Sequence, residues 1–148
     1  MHSDTDAIKE VLYRYSLMVD RRRWELIDEV FTSDATIDYT SVGSGGTKGP
    51  LRPMLEWLDQ SLAPWPMNLH FITNEIIEIE GDRAKSTCCF NAPMGRKTKS
   101  GSQVFLTNAG YYQDDLVRTE AGWRIRERVC DMTIQIFHGE SPSLQPGS

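Results

Sequence analysis

The amino-acid sequence predicts an α+β fold, in which N-terminal helices pack against a strongly curved sheet of mixed or antiparallel strands. Apolar residues follow a helical spacing in much of the first 62 residues, whereas most of the remainder alternates in the manner of strands. The chain has 148 residues, the length of one ordinary domain, and contains no internal repeat. We therefore expect a single domain over residues 1–140 and a flexible tail over residues 141–148, which is rich in Pro, Gly and Ser.

Composition and charge exclude several classes of function. Hydrophobic residues make up 39% of the chain and charged residues 25%, values typical of a globular protein. The 16 Lys and Arg residues against 21 Asp and Glu residues give a net charge of -5, which argues against a nucleic-acid partner. No apolar run approaches the roughly 20 residues that cross a bilayer, and the polar N-terminus has no secretory pattern. We expect a cytoplasmic protein with no membrane partner.

The cysteines indicate neither disulfides nor a metal site. The three residues are Cys88, Cys89 and Cys130, and no C-x-x-C or H-x-x-x-H spacing is present. Cys88 and Cys89 are adjacent on a predicted strand and point to opposite faces, so they are poorly placed to bridge each other. We expect reduced, mostly buried thiols and no bound metal.

Three helices are predicted in the first 62 residues. Residues 5–20 carry apolar side chains at the spacing of one helix face, namely Ile8, Val11, Leu12, Tyr15, Met18 and Val19. The three arginines at positions 21–23 interrupt this pattern and are typical of a solvated helix end, with phosphate binding as a less favoured alternative. A short helix is expected over residues 24–31, and a third begins at Pro50 or Pro53 and ends near Leu62.

The remaining segments predict strands and loops. Alternating or Ile-rich segments favour strands at residues 35–41, 69–80, 84–90, 104–113 and 123–136. Loops are expected at residues 43–49 and 92–102, where glycines or lysines accumulate, and turns at residues 81–82 and 118–122. The glycine-rich segment 43–49 lacks the order of a phosphate-binding loop.

Four polar residues fall on faces that otherwise point to the core. They are Tyr15 on the apolar stripe of the first helix, Asp20 at its end, Tyr39 beside Ile37, and His70 on the same strand face as Ile72 and Asn74. Burying a polar group without a partner is costly, so each position needs an explanation. Each has an ordinary structural one, such as a core tyrosine with a hydrated hydroxyl or a satisfied core histidine. Only their arrangement together makes them a candidate site.

That arrangement resembles a known family. The segments Arg14-Tyr15-Ser16-Leu17-Met18-Val19-Asp20, Asp34-Ala35-Thr36-Ile37-Asp38-Tyr39, Leu69-His70-Phe71-Ile72 and Gly122-Trp123-Arg124-Ile125 follow one another in this order, with Trp24 after the first. Together they resemble the nuclear transport factor 2-like (NTF2-like) superfamily, and particularly its SnoaL-like and scytalone dehydratase-like branch. The resemblance covers residues 6–137. It implies a cone-shaped, cystatin-like α+β barrel with a deep apolar pocket.

The resemblance also implies a set of site residues. In scytalone dehydratase, an aspartate that ends the first helix orients a histidine on a central strand, and a tyrosine follows Ile-Asp in the first strand. Asp20, His70 and Tyr39 stand at those places here. Bile-acid 7α-dehydratase has the same three residues, and also a tyrosine at the place of Tyr15.

The chain departs from each relative at one position. It has no histidine between residues 91 and 131 to match the second active-site histidine of scytalone dehydratase. The arginine of the bile-acid enzyme falls near Met132, with Arg128 as a substitute only in another register. Lindane dehydrochlorinase has lysine at the place of Tyr15, and the carboxylate base of ketosteroid isomerase would fall at Tyr39. Asp38 points to the opposite strand face and does not easily replace that base.

The resemblance and the apolar surroundings together favour a cofactor-independent lyase. It would remove water from an apolar hydroxylated carbonyl compound, such as a polyketide, steroid or aromatic precursor. His70 would be the base oriented by Asp20, while Tyr15 and Tyr39 would stabilise the enolate-like charge. The side chains expected to contact the substrate are Trp57, Asn74, Asn108, Arg128 and Met132.

Two other functions remain open from the sequence. The same pocket would serve a polyketide cyclase or a ketosteroid-type isomerase, and the fold also serves as a non-catalytic module for ligand binding or assembly. An oriented Asp-His pair favours catalysis, because a binding module does not need a base. Since family members associate through sheet faces, we expect a homodimer or homotrimer.

Overall fold

A computed structural model describes residues 2–139 of the chain, and the predicted tail at 141–148 lies outside them. The predicted α+β class is confirmed. In chain order the elements are α1 (Asp4–Asp20), α2 (Ile27–Val30), β1 (Phe31–Asp38), β2 (Lys48–Pro50), α3 (Leu51–Leu62), β3 (Met67–Asn68), β4 (Phe71–Glu80), β5 (Arg83–Lys97), β6 (Gln103–Thr119) and β7 (Gly122–His138). Short 3-10 turns lie at Trp24–Leu26 and Gly43–Gly45.

The strands form one mixed, curved sheet that does not close into a barrel. Their order is β2-β1-β7-β6-β5-β3, with β4 paired to β5 beside β3. The pair β1 and β7 is parallel and the other pairs are antiparallel. The helices cover the inner face, where they enclose the hydrophobic core. The NTF2-like cone expected from the sequence is therefore present.

Helix α1 begins and packs as its sequence dictates. The Ser3 hydroxyl accepts a hydrogen bond from the backbone N–H of Asp6, and the Asp6 carboxylate accepts one from the Ser3 N–H. This reciprocal cap satisfies two of the free donors at the helix start. The predicted apolar stripe is buried, and Tyr15 within it has only 1% of its surface exposed. The helix therefore carries a phenol into the core.

The predicted loop at residues 92–102 is wrong over its first half. Strand β5 continues to Lys97, and residues 92–97 pair with residues 103–108 of β6. Ala92 and Met94 extend the buried alternation that begins earlier in the strand. Their burial stabilises the strand although the glycine and lysines of this segment disfavour strand structure. The remaining loop covers residues 98–102. The short strands β2 and β3 were not predicted, because two or three residues carry too little periodicity.

The three cysteines are free thiols, with Cys88 and Cys130 buried and Cys89 half-buried. The difference between the two neighbours agrees with the expected alternation of faces along the strand. Within residues 2–139, none of the helices has the length and apolarity needed to cross a bilayer.

The outer face of the sheet carries many apolar side chains. Large hydrophobic residues exposed there are Met67, Leu69, Phe71, Phe105, Tyr111, Ile134 and Ile136. Cross-strand pairing places Phe71 and Ile134 in one row across the sheet, with Asn91 and Ala109 between them. The homodimer or homotrimer expected from the sequence stays a prediction.

The close approach of the paired strands β6 and β7 requires glycine at position 110. A Cβ atom there would lie 2.1 Å from the Asp131 carbonyl oxygen and 2.9 Å from Met132 Cα, both backbone atoms. We expect Gly110→Ala to lower the free energy of unfolding by about 1–3 kcal/mol, because the strands would have to separate. Urea unfolding followed by circular dichroism measures this change.

Gly49→Ala is the matched control, since a Cβ atom at Gly49 would meet nothing within 4 Å. Its stability should change by less than about 0.5 kcal/mol. Equal effects of the two substitutions would show that the close approach at Gly110 does not constrain the sheet.

Candidate active site

A cavity of about 170 Å³ lies between the helices and the inner face of the sheet. Most of its wall is apolar and includes Trp57, Leu58, Leu62, Phe90, Met94 and Leu106. Polar groups reach it from Tyr15, Tyr39, His70, Asn108, Tyr112 and Gln135. A cavity of roughly 150 Å³ holds benzene in another protein, so this one has room for a single-ring compound.

Asp20 and His70 form a hydrogen-bonded pair at the edge of this cavity. One carboxylate oxygen lies 2.7 Å from His70 Nδ1, and the other accepts the backbone N–H of His70 at 2.9 Å. The side chains are largely shielded, with 6% exposure for His70 and 11% for Asp20. An ionised carboxylate only accepts hydrogen bonds, so it places the proton of the neutral imidazole on Nδ1. The nitrogen left for a ligand is therefore Nε2.

Arg22 holds the end of α1, next to Asp20, against the end of α3. Its guanidinium donates to the carbonyl oxygens of Val19, Leu62 and Trp65, at 2.6, 3.1 and 3.2 Å. The residue itself adopts a left-handed conformation with φ 53°, which turns the chain at the end of α1. The prediction of a solvated arginine triplet is thus wrong for Arg22, because its guanidinium donates hydrogen bonds to free carbonyls at the ends of α1 and α3. It connects the two helices that flank the dyad.

Tyr15 and Tyr39 meet across the cavity wall through a hydrogen bond between their hydroxyl groups. Tyr39 follows β1, and its N–H donates to the Thr47 carbonyl at 2.8 Å. A Cβ atom at Gly46 would lie 2.4 Å from the Tyr39 carbonyl oxygen, so glycine permits the loop to close on this residue. In such a pair one hydroxyl donates to the other. A single hydrogen of the pair is then left for a ligand.

A third phenol, Tyr112, packs beside the pair. Its ring centroid lies 5.7 Å from that of Tyr15 and 4.4 Å from that of Phe90. Burial raises the pKa of Tyr15, and raises the pKa values of Tyr39 and Tyr112 well above the usual value, because a phenolate is poorly solvated there. The three phenols are therefore neutral hydrogen-bond donors at neutral pH.

Three of the residues expected to contact a substrate line the cavity. They are Trp57, Asn108 and Met132. Trp57 donates from its indole N–H to the Gly45 carbonyl at 3.0 Å, and its ring lies 5.7 Å from Tyr39. Asn108 accepts a hydrogen bond from the amide of Gln135 at 2.9 Å. The structure brings these side chains to the same space as the dyad and the phenols.

Asn74 does not share the inner face with His70, contrary to expectation. The pairing of β4 with β5 shifts between Thr73 and Ile76, and Asn74 has a left-handed φ of 57° in this bulge. A bulge re-aims the side chains that follow it. Asn74 is exposed and its amide points to Cys89 Sγ, at 3.8 Å. It lies outside the cavity wall.

Arg128 lies behind the cavity wall and not on it. Its side chain is fully buried, and its Nε and Nη2 each donate to an oxygen of Asp114 at 2.7 Å. The guanidinium carbon lies 4.1 Å from the ring centroids of both Tyr15 and Tyr112. The expected direct contact of Arg128 with a substrate is wrong in this geometry, because the phenol rings stand between them.

Tyr112 and Asp114 are site residues that the sequence analysis missed. Both continue the inward alternation of β6 on which Asn108 was placed, so the period of the strand could have indicated them. Asp114 also lies directly across from Arg128 in the ladder of β6 and β7. Pairing this carboxylate with Arg128 required the register of two long strands, which the sequence does not provide.

A larger depression of about 620 Å³ lies on another part of the sheet. Charged residues of both signs line it, including Glu78, Glu80, Arg83, Lys85 and Arg126. It contains neither the Asp-His pair nor a tyrosine. The smaller cavity is the candidate site, because apolar walls with a few convergent polar groups are typical of small-molecule sites.

Within residues 2–139, no three or more His, Cys, Asp or Glu side chains are grouped in a way that could hold a metal ion.

Comparison with known proteins identifies the family. The family model described as a SnoaL-like domain matches residues 2–129. The chain belongs to the SnoaL-like domain family. Uncharacterized proteins of Mycobacterium tuberculosis and Mycobacterium bovis are 40% identical over 129 residues, which is 86% of this chain and 84% of theirs. The expected branch of the NTF2-like superfamily is therefore confirmed.

Solved structures share the SnoaL-like fold. A protein of Kribbella flavida aligns with a TM-score of 0.79 and 25% identity, covering 90% of this chain and 93% of its own. A protein of Novosphingobium aromaticivorans, proposed to be a scytalone dehydratase, has a TM-score of 0.71 at 20% identity, with coverage of 93% and 89%. The family assignment, together with an apolar cavity lined by His70 and by tyrosine hydroxyls, supports a small-molecule-binding domain of enzyme type.

The buried phenols predict alkaline unfolding. Their raised pKa values mean that folding is favoured fully below pH 10, the usual tyrosine value, and progressively less above it as the unfolded chain ionises. We expect the phenolate absorbance of Tyr15, Tyr39 and Tyr112 to appear only together with the loss of far-ultraviolet circular dichroism. Ionisation of all five tyrosines with an intact dichroism spectrum would contradict this account.

Proposed function

We propose that this protein is a cofactor-independent lyase of the dehydratase type, which removes water from an apolar hydroxylated carbonyl compound. The observation that carries the proposal is the 2.7 Å contact of Asp20 with His70 Nδ1, beside an apolar cavity that also receives the Tyr15–Tyr39 pair. In this proposal Nε2 of His70 is the base, and the tyrosine pair supplies a hydrogen-bond donor in the same cavity.

The proposed reaction begins with His70. Its Nε2 takes the proton from the carbon next to the substrate carbonyl, and the carboxylate of Asp20 stabilises the imidazolium that forms. The electron pair of the broken C–H bond moves to the carbonyl oxygen. The free hydrogen of the tyrosine pair is donated to this oxygen, where negative charge develops.

Loss of water completes the reaction. The enolate electrons return to form the carbon–carbon double bond while the bond to the β-hydroxyl breaks. The imidazolium of His70 supplies the proton, so that the group leaves as water and the base is regenerated. One substrate therefore yields one unsaturated carbonyl compound and one water, with no net change in the protein.

The cavity constrains the size of the proposed substrate. At about 170 Å³ it accommodates a single ring with short substituents, such as an aromatic or cyclic polyketide precursor. A steroid would exceed this volume and would have to extend beyond the cavity. The apolar walls favour an uncharged ring, and the amides of Asn108 and Gln135 offer hydrogen bonds to its substituents.

Isomerisation or cyclisation with the same base is the second candidate. It would also start from proton abstraction by His70, and only the fate of the enolate would differ. A ketosteroid-type mechanism with a carboxylate base has less support, because Asp38 is hydrogen-bonded to Thr40 and does not line the cavity. Analysis of the products separates these reactions, since only elimination lowers the product mass by one water.

Substitution of the dyad tests the proposed base. Single-ring β-hydroxy ketones are first screened by mass spectrometry for loss of water. We then expect His70→Ala and Asp20→Asn each to lower kcat by about 10²- to 10⁴-fold, since general base catalysis contributes this much. The Asn amide favours the wrong tautomer of the imidazole. Ligand affinity, measured by calorimetry, should change little.

Two exposed residues provide the controls for the dyad. His138→Ala and Asp28→Asn make the same chemical changes outside the cavity and should leave kcat unchanged. Wild-type kcat in the His70→Ala protein would exclude the proposed base and leave a binding module.

Removing the hydroxyl of Tyr39 tests the donor pair. We expect Tyr39→Phe to lower kcat by roughly 10- to 1,000-fold, because one hydrogen bond to the developing oxyanion is lost. Steady-state kinetics measure this change, with Tyr111→Phe on the outer sheet face as the control. An unchanged kcat would remove the tyrosine pair from the mechanism.

A further inference from the structure

Arg128 is an unusual residue for the core of a small domain. Its guanidinium is fully buried between the rings of Tyr15 and Tyr112, at 4.1 Å from each centroid. Asp114 accepts from Nε and Nη2, while Nη1 is buried with no hydrogen-bond partner among the described residues. Buried donors without partners are rare in folded proteins, and each one calls for an explanation.

Stability alone is a poor explanation for this arrangement. Replacing a buried ion pair by apolar residues of similar volume is often neutral or stabilising. The position on β7 could therefore hold an apolar residue facing an apolar residue on β6. Instead, the charge lies directly against the ring that carries one hydroxyl of the Tyr15–Tyr39 pair.

We propose that Arg128 is a positioning residue that acts through Tyr15 and Tyr112, making the tyrosine pair a stronger hydrogen-bond donor to the cavity. A cation held against a phenol ring stabilises the negative charge that grows on the phenol oxygen when the hydroxyl donates its proton to an acceptor. Asp114 orients the guanidinium and offsets part of its field. The inference rests on the proposed function for its catalytic consequence, but the effect on the phenols can be measured independently.

The groups around the Tyr15–Tyr39 pair support the expectation that Arg128 makes these phenols more acidic. Those that titrate or carry charge are Tyr112 and Asp114 on β6, Arg128 and Cys130 on β7, and His70 before β4. Burial raises the pKa values of Tyr15 and Tyr39, and the charge of Arg128 acts against this rise. Arg128 is the one fully buried cation among the described residues. Its removal should therefore make the phenols weaker acids.

The test places a more acidic phenol at position 39. Tyr39→3-chlorotyrosine introduces a residue whose phenolate forms at a lower pH than that of tyrosine. This phenolate also absorbs at a different wavelength, so it can be followed separately from the other tyrosines. Its ionisation is followed in three backgrounds, namely the otherwise natural chain, Arg128→Met with Asp114→Leu, and Asp114→Asn. We expect ionisation at a higher pH in the double variant. The rise should be smaller than the roughly one to three pH units that an unpaired opposite charge contributes, because the offsetting carboxylate of Asp114 is removed as well.

Asp114→Asn should move the ionisation to lower pH, because the charge of Arg128 is then no longer offset. Arg126→Met, on the same strand but half-exposed, is the matched control and should leave the ionisation unchanged. Circular dichroism checks that each variant is folded. If the double variant does not fold, the shift of the ionisation in Asp114→Asn still tests whether the charge of Arg128 acts on the phenol. An unchanged ionisation in a folded Asp114→Asn or double variant would overturn the inference, because a purely structural role would not move this value.

Kinetics separate this inference from the proposed function. Once a substrate has been identified, we expect the double variant to have a kcat at least about tenfold lower than that of the natural chain, with little change in KM. If the ionisation shifts as expected while His70→Ala retains full activity, the proposed lyase function fails and the role of Arg128 stands. If the ionisation does not shift while His70→Ala is inactive, the role of Arg128 fails and the proposed function stands.

Discussion

The carboxylate of Asp20 is the point on which the site depends. It accepts hydrogen bonds from the backbone N–H and from the ring Nδ1 of His70. A single side chain therefore fixes both the backbone just before β4 and the orientation of the imidazole. Hydrogen bonds to a charged group contribute about 1.5–3 kcal/mol each. The Arg22 guanidinium holds the same helix end against α3. The dyad thus lies where the end of α1 meets the end of α3 and the short segment that leads into β4.

Helix α1 organises the two polar centres of the cavity. It supplies Tyr15 to the phenol cluster and Asp20 to the dyad, and five residues of helix separate these centres by about 7.5 Å along the axis. The long strands β5, β6 and β7 form the opposite wall through their alternating inward residues. Both polar centres therefore lie on the α1 side of the cavity, with the rings of Tyr15 and His70 6.3 Å apart between centroids.

The sequence predicted the elements with strong periodicity and those side chains whose place follows from one element. The fold class, helix α1 and the positions of Tyr15, Asp20, Tyr39 and His70 followed from spacing and from the family resemblance. Features that depend on pairing between distant segments did not. The bulge at Asn74, the extension of β5 and the ion pair of Arg128 with Asp114 result from register, which no local pattern reveals. The role of Arg22 likewise depends on carbonyls far along the chain.

The indole side chains divide into two groups according to their surroundings. Trp57 and Trp65 line the cavity, whereas Trp24 and Trp123 donate to Asp59 and Asp4 away from it. A compound that enters the cavity contacts the first two rings and leaves the environment of the others unchanged. The protein therefore carries its own optical probe of occupancy. We therefore expect intrinsic fluorescence to change when a compound binds against Trp57 or Trp65, whether or not that compound is turned over.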